Sequence, residues 1–282
     1  MFKKSDICIV IPIYKESLNE YEIQSVNQCI KILSDYSIHF ICPKGLNITF
    51  YSAKFPELNN YHFFDQNYFN DIEGYNRLMM SCDFYKIFKN YDFMLIYQPD
   101  CFVFRDELLD WVKKDYDYIG GVWFEGFVGD PYLGAKFWRA GNGGLSLRNI
   151  KTMIQLLSSK KPLKSFQQLI IEKRNLFEID AFNGIKEFLF LPLNLIGYKN
   201  NCQNYSKEFK HNEDVFFVHL HTVYKVLKIP KVEDALLFSW DRYPDFLFNN
   251  LDKFPFACHA WYREDGYYEG NKKFWSKHIN KK

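Results

Sequence analysis

Two uninterrupted apolar runs, ICIVIPIY (7–14) and FMLIY (93–97), constrain this chain most. A half-exposed strand alternates polar and apolar residues, whereas these runs have no polar face and must be covered on both sides. Strands of that kind belong to parallel sheets whose crossover connections lay helices on either face. Residues 18–34 place Ile23, Val26, Ile30 and Leu33 at helical spacing, and 37–43 is a second short strand. The opening is therefore β-α-β, with a right-handed crossover and a parallel strand pair. Helical patterns follow at 73–89, 107–114, 150–158 and 166–173, and strands are expected at 91–97, 116–123, 143–149 and 254–262. Such alternation gives an α/β fold, a Rossmann-like, mixed but mostly parallel central sheet flanked by helices. Residues 124–142 have no period and read as a loop, and 232–240 reads equally as strand or helix. A helix is expected over 212–228, with Asn212 at its N-cap. No repeat or linker divides the chain, so residues 1–265 are expected to form one domain and the basic tail, 266–282, to fray.

A chain of 282 residues, 48% hydrophobic and 25% charged, can build a core without staples. Its net charge of +2 supplies no global field for nucleic acid. The seven cysteines are scattered, with no CxxC pair, which argues against a zinc ribbon and for a reducing compartment. The opening MFKKSDICIVIPIYK has a short apolar stretch without a small-residue cleavage site, so it reads as a first strand. FLFLPLNLIGY (188–198) is too short to span a bilayer. A cytoplasmic protein, soluble or peripheral at the inner face of a membrane, is the expectation.

Ligands of open α/β sheets collect at the carboxyl ends of strands. Three strand ends are candidates for one rim: Pro12-Ile13-Tyr14-Lys15, Cys42-Pro43-Lys44 and Gln98-Pro99-Asp100. A proline or lysine at such a place is as readily a turn residue. Asp100 asks for more, because a carboxylate beside a buried strand needs a partner, either a divalent cation or an arginine such as Arg105. RAGNGGLSLRN (139–149) carries three glycines that suit a tight turn, a bulge or close approach to a ligand. It matches neither a P-loop nor a dinucleotide fingerprint. Glu213 and Asp214 open a helix, either complementing its dipole or supplying a general base. His259, in FACHAW, reads on its own as a satisfied core residue, and His219 and His221 do not share a helical face.

In sequence order, IVIPIY, YNRLM, an apolar strand ending in an acid, GNGGLSLR, NED and FACHAW resemble the elements of GT-A fold glycosyltransferases, and in particular the bacterial DUF5672-type group. The resemblance spans about residues 7 to 262 and lies in the order of the motifs. It implies that Asp100 is the last acid of a DxD motif holding Mn2+ or Mg2+ on the donor diphosphate, with His259 completing the metal site. Gln98 departs from that motif by replacing its first acid, and could bond to ribose or to a metal-bound water. The resemblance further puts Asp214 in the place of the catalytic base with Glu213 beside it. Asn142, Gly143 and Gly144 then face the donor sugar and acceptor. Pro12, Tyr14 and Lys15 cradle the nucleotide, and Asn76 and Arg77 lie nearby with Arg77 toward phosphate. The implied reaction moves a sugar from a nucleotide-sugar donor, expected to be a UDP-sugar, to a hydroxyl of a cell-surface glycan or lipid-linked acceptor in polysaccharide biosynthesis, with inversion. A cation for the leaving diphosphate, one base and a close-fitting backbone suffice for such chemistry. The competing readings are a non-catalytic nucleotide- or sugar-binding protein, favoured by Gln98, and a metal-dependent phosphohydrolase, which would want more acids at strand ends. Lys272, Lys273, Lys277, Lys281 and Lys282 beside Phe274 and Trp275 suit contact with a membrane as well as they suit a solvated terminus.

Overall fold

The computed structural model of the protein describes residues 2–125 and 136–279. Its strands are β1 (Ile7–Pro12), β2 (Ser37–Pro43), β3 (Tyr61–Phe64), β4 (Phe93–Tyr97), β5 (Phe102–Val103), β6 (Tyr118–Phe124), β7 (Phe137–Asn149), β8 (Ser239–Trp240) and β9 (Ala257–Cys258). Six of them form one sheet in the order β3-β2-β1-β4-β7-β6. The pairs among β1, β2, β3 and β4 are parallel, and β7 runs against both β4 and β6. The expected mixed, mostly parallel α/β sheet is thus what the chain forms.

The apolar runs explain its two-sided core. On β1, Ile7, Ile9 and Ile11 enter one hydrophobic cluster while Cys8 and Val10 enter the other. On β4, Phe93, Leu95 and Tyr97 alternate in the same way with Met94 and Ile96. Alternate side chains of a strand point to opposite faces, so a run with no polar residue demands a layer on each side. The helix Glu20–Leu33 supplies one such layer, buries Val26, Cys29 and Leu33, and starts at a capping box between Asn19 and Glu22.

Several expectations are corrected. The loop foreseen at 124–142 falls outside the described residues at 126–135, but from Phe137 onward it is strand β7, whose register against β6 shifts at Gly120/Gly121 and again at Gly121/Val122. Its glycines belong to a bulged strand interior. The single helix expected over 73–89 is two, Ile72–Met79 and Cys82–Ile87. The helix begun at Glu213 stays regular only to His219 and closes through Leu220–Tyr224, where Lys225 adopts a left-handed conformation at φ 56°. Residues 232–240 are both elements foreseen, a helix over Val232–Phe238 followed by β8. Of the late strand expected over 254–262, Ala257–Cys258 are strand. Where the tail was expected to fray, Asn271–Ile279 is a helix, and its Phe274 and Trp275 are buried, the latter stacked on Phe104 at 5.1 Å between ring centroids. Those two rings therefore serve the core, and the tail offers no apolar residue pair to a membrane; Lys281 and Lys282 lie outside the described residues.

Candidate active site

A cleft of about 1060 Å³ opens at the carboxyl ends of β1 and β4. Pro12, Tyr14, Lys15, Asn76, Gln98, Asp100, Asn142, Gly143, Gly144, Glu213, Asp214 and His259 all line it. Cys42-Pro43-Lys44, the third strand end expected on this rim, does not.

Two corners of the cleft differ in construction. The first grows out of β4. Cys101 N–H donates to the Gln98 carbonyl at 2.9 Å, closing a turn with Pro99 at its second position, where the fixed φ of proline fits. The turn delivers Asp100 to the cleft, and β5 then leaves it to pair antiparallel with β9, Phe102 opposite Cys258. Strands β8 and β9 pair in parallel, Trp240 level with Cys258. One step beyond each registered pair lie Asp241 and His259, and the antiparallel pairing brings His259 to the Asp100 turn. Strand register therefore brings Asp100, Asp241 and His259 to one corner.

His259 Nδ1–H donates to Asp241 Oδ1 at 2.7 Å. Its Nε2 faces Gln98 Oε1 at 3.1 Å and Asp100 Oδ1 at 3.3 Å. Burial by itself would lower the imidazole, yet the carboxylates of Asp100 and Asp241 outweigh it and push its pKa up to about 10. Burial likewise opposes the Asp100 carboxylate, and the neighbouring imidazolium holds it below its ordinary value. Arg105, the other partner considered for Asp100, is taken up by Glu107 and by the Phe254 carbonyl at 2.9 Å.

The second corner is the start of the helix Glu213–His219. Glu213 Oε1 accepts from Arg148 Nη2 at 2.8 Å, with both side chains buried. No cation pairs with Asp214 among the described residues. Its Oδ2 accepts from Gly143 N–H at 3.1 Å and its Oδ1 from Val215 N–H at 2.7 Å. Burial first, and the charge of Glu213 second, raise its pKa to about 8. Asn212 does not cap this helix with its side chain as expected; its Oδ1 accepts from Asn76 Nδ2 at 3.2 Å, and Asn76 Oδ1 in turn accepts from Glu213 N–H at 3.2 Å. Asn76 is therefore committed to holding the helix start.

The glycines between the corners have a specific use. A Cβ at Gly144 would stand 2.3 Å from His259 Nε2, and one at Gly143 would stand 2.4 Å from Glu213 Oε1. The space a side chain would fill at 143 and 144 is occupied by the protein's own acid and histidine. Arg77, expected near phosphate, lies outside this cleft, in an adjoining groove, and pairs with Glu73 at 2.9 Å. Asn76 and Arg77 are neighbours on a helix, about 100° apart, so the two do not share a face. Lys15 sits at the lip in an ion pair with Glu22 at 3.2 Å.

Sequence reasoning missed Asp241, Arg148 and Asn271. Asn271 Nδ2 donates to the carbonyls of Asp241 at 2.8 Å and Ala260 at 3.1 Å, bracketing His259 from behind. Asp241 did carry a signal, an acid directly after the apolar run ending in Trp240.

The corner also meets the requirements of a divalent cation in part. Asp100 Oδ1 is buried, with His259 Nε2 facing it at 3.3 Å. With Nε2 deprotonated, an imidazole nitrogen, a carboxylate oxygen and the Gln98 amide oxygen converge, and Asp241 orients the ring from behind. Among the described residues no three His, Cys, Asp or Glu side chains group to hold a metal. The protein thus offers part of a coordination shell, as cations bound through substrate phosphates require.

No curated protein matches the chain in sequence. Solved structures similar to it include mouse xyloside xylosyltransferase 1 in its apo form, at 11% identity and TM-score 0.47 over 89% of this chain and 96% of that one. Others are the galactosyltransferase LgtC in complex with donor and acceptor sugar analogs, at 14% and 0.45 over 95% and 94%, and core-mannan synthase A from Aspergillus fumigatus in its Mn/GDP form, at 10% and 0.37 over 75% and 71%. The family model described as "Protein of unknown function (DUF5672)" matches residues 59–259, and the chain belongs to that family.

Proposed function

We propose that the protein is a glycosyltransferase that moves a sugar from a nucleotide-sugar donor, a UDP-sugar by preference, to the hydroxyl of a glycan or lipid-linked acceptor. One observation carries this reading: Asp100 and His259 meet at the end of β4, across Gly143 and Gly144 from an unpaired acid, Asp214, in the same cleft. Asp100, His259 and Gln98 are the residues that would hold Mn2+ or Mg2+, which would neutralise charge developing on the leaving diphosphate. Asp214 is the base for the acceptor hydroxyl, which makes inversion the expected outcome. With its pKa pushed up to about 8 it is mostly protonated at neutrality, so turnover should rise with pH toward that value. Glu213 acts differently. Paired with Arg148, it is fixed in place, and its charge keeps Asp214 basic. Tyr14, Lys15 and Pro12 line the same cleft and would meet the nucleotide.

A thermal-shift screen of nucleotide sugars with and without Mn2+, paired with donor hydrolysis, tests the assignment, since a ligand that binds the native state raises its melting temperature. Asp100→Ala should abolish the Mn2+-dependent shift. Asp214→Ala should keep the donor shift and lose turnover by about 10²- to 10⁴-fold. Turnover intact in both variants would remove the roles assigned to Asp100 and Asp214, and donor binding without turnover in the parent protein would make it a binding protein.

A further inference from the structure

The helices Phe166–Ile179, Ala181–Leu189 and Leu191–Leu195 turn apolar residues outward. On the second, Phe182, Ile185 and Leu189 fall at i, i+3 and i+7, one stripe of the helix. Phe182 is 79% exposed and Leu189 76%. The stripe continues through exposed Leu193 to Ile196, which is 75% exposed. A helix of a globular domain ordinarily turns such a stripe to the core. Here the polarity is reversed. The inner side holds Gly184, packed so closely on Phe177 that a Cβ would stand 2.4 Å from its Cα, and the ion pair of Lys173 with Glu187 at 3.3 Å. Single exposed apolar residues are ordinary, but a contiguous stripe marks an interaction surface.

Charge decides what covers it. Lys160, Lys161, Lys186 and Lys199 are exposed around the stripe, and none forms an ion pair with an acid among the described residues. The basic turn is locked beside the end of the stripe: Gly197 packs on the Lys160 carbonyl, and Asn200 accepts from Lys164 N–H at 2.8 Å and donates to its carbonyl at 3.0 Å. A second copy of the chain seated symmetrically on this face would bring lysines toward lysines. A bilayer with anionic headgroups complements both features, taking phenylalanine and leucine into its acyl boundary and lysine at its charged surface. We propose that this helical face docks the protein on an anionic membrane surface. The contact lies on the bilayer, since no helix among the described residues is long and apolar enough to cross one. It does not depend on the chemistry proposed for the cleft, and it uses an element distinct from the C-terminal helix, whose aromatic residues are in the core.

Flotation of the full chain with phosphatidylcholine vesicles, with and without phosphatidylglycerol, tests the proposal with no donor present. The protein should float with the anionic vesicles and less with neutral ones, and added salt should weaken the difference. Phe182→Ser/Leu189→Ser should reduce binding about tenfold or more while leaving the melting temperature unchanged, because neither side chain is buried. Lys160→Ala/Lys161→Ala should reduce binding to anionic vesicles by roughly fivefold per lysine and leave binding to neutral ones alone. Absence of the parent protein from the anionic vesicle fraction overturns the proposal, as does undiminished flotation of the serine variant. Light scattering that shows a dimer dissolved by the serine substitutions, without vesicle binding, also overturns it and assigns the face to self-association.

Discussion

Arg148→Met removes the cation that faces Glu213 and leaves most else in place. The guanidinium is 0% exposed and donates to Ser146 Oγ at 3.0 Å, Tyr85 OH at 2.9 Å and Glu213 Oε1 at 2.8 Å. Two of these acceptors keep other partners. Ser146 Oγ–H still donates to the Gly143 carbonyl at 3.0 Å, and Tyr85 O–H to the Met79 carbonyl at 2.8 Å. Methionine fills much of the arginine stem, so the cavity contribution is small. The cost is the stranded Glu213 carboxylate, and breaking a buried pair in this way costs about 3–5 kcal/mol. For a chain of this length that is roughly 10 °C in melting temperature. Urea unfolding of the parent, Arg148→Met, Glu213→Gln and the double variant gives the coupling. Each single change should cost several kcal/mol, and the double should recover about 3 kcal/mol or more of their sum. A double variant as unstable as that sum would refute the reasoning, because it would mean that the two groups do not neutralise one another. The same set reads on Asp214. Arg148 lowers its pKa and Glu213 raises it, so any pH limb of activity should move up in Arg148→Met and down in Glu213→Gln.

Gly144→Ala would drive a methyl group into His259 Nε2, so it should abolish any Mn2+-dependent thermal shift while costing less stability than Arg148→Met; an unchanged shift would mean that His259 does not face the cation. Asp214 is raised from 3.8 to about 8, so the native state prefers its neutral form; that stabilisation is full below the ordinary carboxylate range and is lost as pH rises through about 8. Asp214→Asn, always neutral, should therefore gain melting temperature relative to the parent as pH rises from the ordinary carboxylate range to about 8 and level off above it, and a difference independent of pH would contradict the raised value. Trp275→Ala should cost about 3–5 kcal/mol in urea unfolding, since the indole is 1% exposed and packs on Phe104 and on Trp240, the latter at 5.9 Å; a loss under 1 kcal/mol would return the C-terminal helix to the status of a loose tail.

What the sequence disclosed follows physical range. β1 and β4 were readable because uninterrupted apolar runs have few alternatives, and Asp100 because an acid in the turn that ends such a run stands out. β7 was readable only over 143–149; its first half, from Phe137 to Asn142, has no period and looks like a loop until it pairs with β6. Strands were foreseen around β9 and β8, but not their pairing with β5 into a second sheet, because two-residue strands carry no pattern that sets a partner. Asp241 and Arg148 acquire their roles only from pairing across long sequence separations. Arg77 was misplaced because adjacent residues on a helix diverge in direction, which a motif read as a string does not register. His259 supported two opposite readings, core residue and site residue, and the structure makes it both: buried, and at the cleft.

Asn271 ties the carbonyl of Asp241 to that of Ala260, next to His259, and a chain is made from its N-terminus onward. All six strands of the main sheet lie before residue 150, so that sheet can form early in synthesis. The histidine corner draws on Gln98, Asp100, Asp241, His259 and finally Asn271, and it can close only after the last of these has emerged. A nascent chain halted before residue 271 would hold the sheet and Asp100 but lack the clasp that steadies Asp241 and Ala260.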